Sequence, residues 1–81
     1  MRDARFSPAV SAAMADAVLD RYLLWRQATA AVTLTYQAWT HGRPGDGELA
    51  YADYCDALDA EERAAADYQE SLQRADRGAA A

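Results

Sequence analysis

Lysine is absent from this 81-residue chain, and cysteine, histidine and phenylalanine occur once each. Each scarcity closes a route. A single thiol, Cys55, cannot form an intramolecular disulfide, and with only His41 to accompany it no zinc-ligand set of recognised spacing exists. Thirteen acids stand against eight arginines, for a net charge of −5. That balance argues against a nucleic-acid backbone or an anionic membrane surface as the main partner. Uninterrupted apolar runs are also missing. The most apolar stretch, residues 22–39, is broken by Arg26, Gln27 and Gln37 and falls short of the ~20 apolar residues of a membrane span. The opening Met1-Arg2-Asp3-Ala4-Arg5-Phe6 leads into a helix cap rather than the apolar centre of a signal peptide. An acidic, cytoplasmic protein is the expectation, with neither nucleic acid nor membrane among its partners.

Proline and glycine are scarce as well, and their placement organises the chain. Both prolines and three of the four glycines mark helix boundaries in the reading that follows. Ser7-Pro8 is a helix start: the serine hydroxyl can accept from a free backbone N–H, and proline at the first helical position loses nothing by lacking one. No glycine or proline follows until Gly42, which is suited to the left-handed residue after a helix, with Pro44 preventing continuation. Asp46 is the natural N-cap of a second helix, and Glu48, Asp53 and Asp56 crowd its positive end. Arg74 and Arg77 lie at the other end, before Gly78. The pattern predicts an all-α fold, an antiparallel hairpin of two helices at about 8–41 and 47–77 forming a single domain, with 1–7 and 78–81 as flexible tails.

Both segments are alanine-rich and carry apolar stripes at spacings of three and four. On the first, Met14, Val18, Tyr22, Trp25, Thr29, Val32, Tyr36 and Trp39 form one row. On the second, Tyr51, Tyr54, Leu58, Glu61, Ala65, Tyr68, Leu72 and Ala75 answer it. If the turn fixes the antiparallel register, facing residue numbers total about 89, which sets Trp25 over the Ala64-Ala65-Ala66 run and Tyr54 beside Tyr36. Leu58 then falls by Val32 and Leu72 by Val18.

The first helix has a further apolar row, Leu19, Leu23, Ala30 and Leu34, turned well away from the Trp25 stripe. Each of those leucines contributes about 1.5–3 kcal/mol if buried and almost nothing if left wet. A chain this short has little core of its own, and neither disulfide nor metal staples it. The second row is therefore expected to be a self-association interface, giving a homodimeric four-helix bundle, with another helical protein as the alternative partner.

Glu61 is the sharpest candidate for chemistry, because it is a carboxylate within an apolar stripe. With Thr29 opposite, the acid can be hydrogen-bonded, can have a raised pKa, or can ligate a metal with its dimer mate; reaching out to water or to an arginine is the simpler outcome. Arg21 faces the Tyr68 and Asp67 region, where it can pair, stack, or bind an anion. Glu61, Thr29, Arg21 and Tyr68 together make the candidate polar site. Asp59 to Arg63 and Glu70 to Arg74 are i,i+4 pairs that read as a solvated ladder. Asp16 and Asp20 could chelate a cation, but no Glu-x-x-His spacing exists to complete a carboxylate metal centre. The tyrosines and tryptophans read as packing rather than a ligand cleft. Cys55 reads as an unreactive thiol and His41 as a helix C-cap. The glycine-rich turn has neither the lysine nor the spacing of a phosphate loop. Catalytic residues, cofactor sites and metal sites are accordingly not assigned.

Two families bear comparison. In size, acidity and a tryptophan near the turn the chain resembles small secreted hairpins of the WXG100 type. Here the turn reads Trp39-Thr40-His41-Gly42, one residue longer between tryptophan and glycine, and Tyr51, Tyr54 and Tyr68 are followed four later by Cys55, Leu58 and Leu72 rather than by an acid. Helical chorismate mutases are similar in size and in their long first helix, yet the lysine and inward arginines of that family are lacking. Neither is assigned. The expected function is a non-enzymatic helical hairpin acting through self-association, as an adaptor, regulator or structural subunit. The alternatives are a WXG100-like secretion-associated hairpin, and a dimeric ligand-binding or enzymatic bundle using Glu61 and Arg21.

Overall fold

A computed structural model describes the backbone of residues 8–80 and the surroundings of side chains 12–78. It contains α1 (Pro8–His41) and α2 (Gly47–Ala80), packed against each other as an antiparallel hairpin. The N-terminal tail expected at 1–7 lies outside the described residues.

The break between the helices is built from its glycines, though not as the spacing suggests. Gly42 does not take the left-handed conformation; Gly45 does, with φ at +100°. The Asp46 N–H donates to the Arg43 carbonyl at 3.2 Å, closing a turn with proline second and a positive-φ glycine third, the order of a type II turn. Gly42 serves by lacking a side chain, since a Cβ there would stand 2.5 Å from the Ala38 carbonyl oxygen. Asp46 is the N-cap: its carbonyl accepts from the Ala50 N–H at 3.0 Å, the first bond of α2. At the end of α1, His41 Nδ1 lies 3.2 Å from the Gln37 carbonyl, as its reading as a cap requires. Gly45→Val is expected to lose about 1–2 kcal/mol, because a branched L-residue cannot hold that φ without strain. Gly47→Ala, where the added methyl meets open space, should hold or gain stability. Thermal melts followed by circular dichroism check both; equal melting of Gly45→Val and the parent would refute this turn.

Helix two overruns its expected end at residue 77 and continues through Gly78 to Ala80. Gly78 is thus a packing residue rather than a stop. A methyl there would collide with the end of the Met14 side chain, so the absent side chain lets the far end of α1 settle against α2.

The aromatic contacts fix the register. Tyr22 meets Tyr68, Tyr36 meets Tyr54 and Trp39 meets Tyr51, pairs whose numbers each total 90. That is one residue from the expected pairing, and the Tyr36–Tyr54 neighbourhood forms as read. The contact line of α2 differs in detail. Ala50, Tyr54, Ala57, Glu61, Ala64, Tyr68, Ser71, Ala75 and Gly78 are half-buried at steps of four and three, with Cys55, Ala60 and Ala65 half-buried beside them. Of the expected row, Tyr54, Glu61, Ala65, Tyr68 and Ala75 are half-buried as read, whereas Tyr51, Leu58 and Leu72 are exposed, with Leu58 at 39% and Leu72 at 41%. The reason is volume. The indoles of α1 stack on Tyr68 and Tyr54, and the alanines, serine and glycine that alternate with the large residues of α2 allow closer approach than leucines would.

Candidate functional site

Near the middle of the hairpin the two helices are joined by one polar bond inside an aromatic cluster. The Trp25 indole Nε1–H donates to Glu61 Oε2 at 2.7 Å. Tyr68 stacks on that indole, ring centroids 5.5 Å apart and planes 13° from parallel. Tyr22 closes the cluster, tilted against Tyr68 at 5.5 Å and edge-on to Trp25 at 6.1 Å. Glu61 is half-buried, and its partner is an indole rather than Thr29 or an arginine.

Thr29 is occupied elsewhere. Its hydroxyl donates to the Trp25 carbonyl one turn back at 3.0 Å. Thr33, Thr35 and Thr40 make the same kind of local bond. A short hydroxyl satisfies itself on its own helix more easily than it reaches across a seam. An indole is long, carries a donor that needs an acceptor when covered, and is matched by a charged one. The sequence holds that signal: a seam tryptophan and a seam carboxylate close to register.

Arg21 stands on the same flank as Asp67 and away from Glu61. Arg21 and Asp67 line a groove of about 220 Å³ with Leu24, Ala60, Arg63 and Ala64. They also line a neighbouring one of about 200 Å³ with Met14, Ala17, Glu70, Ser71, Arg74 and Ala75. Neither groove is lined by Glu61, Trp25 or Tyr68. The four residues of the candidate polar site therefore divide: Glu61 and Tyr68 meet at Trp25, Thr29 turns to its own helix, and Arg21 belongs to a charged flank. On that flank Arg74 pairs with Glu70 at 3.4 Å, the ion pair formed among the described residues.

A second cluster stands near the turn, where Trp39 stacks on Tyr54 at 5.5 Å and tilts against Tyr51 at 4.9 Å, with Tyr36 edge-on. The Tyr51 phenol is raised above its ordinary 10.0, chiefly by the neighbouring Cys55 thiol. Cys55 is half-buried. This i,i+4 pairing places the lone thiol beside a phenol rather than beside a group that would activate it.

Among the described residues no three His, Cys, Asp or Glu side chains converge as metal ligands, and no helix is long and apolar enough to cross a membrane. The arrangement offers a carboxylate engaged by an indole and, apart from it, grooves open to solvent. No known protein family, curated protein or solved structure matches the chain.

Proposed function

We propose that this chain is a self-associating helical hairpin that acts through protein–protein contact, as an adaptor, regulator or structural subunit, and that its working form is a four-helix bundle of two copies. The observation that carries the reading is the lack of a finished core. Among the described residues no side chain is fully buried, and eleven large hydrophobic residues are well exposed. Burial in a second copy is the economical way to cover them.

Apart from Leu24, Trp39 and Leu49, the exposed large apolar residues fall in two rows. One is the outer row of α1, with Leu19 53%, Leu23 48% and Leu34 65% exposed, and Ala30 among them. The other is a flank shared by both helices, carrying Tyr22, Tyr36, Tyr51, Leu58 and Leu72. Light scattering coupled to size-exclusion chromatography, across a concentration series, tests the reading. A mass of two chains at micromolar concentration is expected. A well-folded single chain at every concentration would refute it.

A further inference from the structure

We infer that the second copy docks on the shared flank of tyrosines and leucines, with α1 of each copy beside α2 of the other and Arg26 of one against Glu62 of the other. This rests on the self-association proposed above and adds the surface and the arrangement.

The outer row of α1 cannot build a bundle. Leu23 and Leu34 lie about half a turn round α1 from its contact line with α2. A copy seated there would touch α1 alone and give a flat array of four helices in a row. In a four-helix bundle each helix has two neighbours at roughly right angles, so the joining surface must span both helices of a hairpin.

The flank meets that requirement. Tyr22, Thr29 and Tyr36 recur every seven residues on α1, and Tyr51, Leu58, Ala65 and Leu72 do so on α2. Each row stands within about a third of a turn of its helix's contact line. In an antiparallel pair both rows fall on the same side of the hairpin. Neither contains an ionised group. The opposite side carries Arg21, Arg63, Asp67, Glu70 and Arg74 around its two grooves, where desolvation by a partner would be costly.

The size fits too. Helices of 34 residues are about 51 Å long. A strip of that length and about 15 Å wide across both helices matches the ~800 Å² per partner of a stable interface. Tyr22, Tyr36, Tyr51, Leu58 and Leu72 are 38–49% exposed, partly covered by their own hairpin and open on one side, as residues at the meeting point of four helices are.

Charge selects between the two ways of placing a two-fold axis on this flank. Arg26 and Glu62 stand on its outer rim at nearly the same height, near the middle of their helices, and both are exposed. An axis along the bundle sets α1 against α2 of the other copy and brings Arg26 to Glu62 twice. An axis across it sets α1 against α1 and brings like charges together. Rim pairs of this kind decide pairing in coiled helices, and every neighbour remains antiparallel, so the helix dipoles agree.

The test uses the full chain in sedimentation equilibrium. The parent must first be a dimer; a monomeric parent would defeat the self-association and this inference together. Given a dimer, Leu58→Asp with Leu72→Asp should weaken association at least 100-fold, while Leu49→Asp, which changes a leucine already 75% exposed on the other side, should leave it unchanged. Helicity at high concentration shows whether a variant still folds. Arg26→Glu and Glu62→Arg should each weaken the dimer several-fold, and the double exchange should restore it, which loss of folding cannot mimic. A dimer that survives the flank changes but is split by Leu23→Asp would move the interface to the outer row. A double exchange no better than the single ones would overturn the Arg26–Glu62 pairing. In both of these cases self-association itself would stand.

Discussion

Trp25→Ala should cost about 3 kcal/mol, near the lower end for removal of a large aromatic because the site is only half covered. For a small hairpin that is a large share of total stability, and circular dichroism at room temperature is expected to show substantial loss of helix. The cost comprises the stacking on Tyr68, the edge contact with Tyr22 and the bond to Glu61. Trp25→Phe separates these contributions. It keeps a ring against Tyr68 and deletes the indole N–H, leaving a seam carboxylate without its donor, for a loss of about 1–2 kcal/mol. Glu61→Leu should relieve that loss. A cycle of the two substitutions measured by urea unfolding should therefore show coupling of about 1 kcal/mol. Additive effects would mean that the indole and the carboxylate stabilise the hairpin independently.

The second large effect is on the melting temperature as the protein is diluted. If two chains fold and associate together, each tenfold dilution removes about 1.4 kcal/mol from the dimer's stability. For an assembly of two 81-residue chains that corresponds to about 3–6 °C per decade of concentration. A series from one to several hundred micromolar should shift the midpoint by about 10 °C or more. A midpoint independent of concentration would show that the hairpin's own contacts suffice.

The elements were legible because the strongest local signals in the chain all agree. Ser7-Pro8 and the Gly42 to Gly47 cluster bound a helix, and Asp46 caps the next. Turn length then fixes antiparallel pairing to within a residue. Three features were less legible, each for a physical reason. Gly78 looks like a stop, but whether a glycine ends a helix or accepts a neighbour depends on what lies across from it, and Met14 is 64 residues away in sequence. Leu58 and Leu72 look like core because they are greasy. The tryptophans instead pack on tyrosines and Glu61 of α2, and hydropathy alone does not register fit. Glu61 was legible as the odd residue in its stripe, but its partner was not: Thr29 is nearer in register, and only the reach of an indole decides for Trp25.

The alternation of small and large residues along the contact line of α2 has a mechanical corollary. Ala50, Ala57, Ala64, Ser71 and Gly78 recur every seven residues, so a heptad shift returns small residues to the same places and is opposed only by the large residues between them. Two tryptophans, 14 residues apart on α1, are what catch. One is lodged between Glu61 and Tyr68 and the other against Tyr51 and Tyr54. They act as pawls in a ratchet, so the alignment of the whole hairpin is held at two points about 21 Å apart rather than distributed along its length.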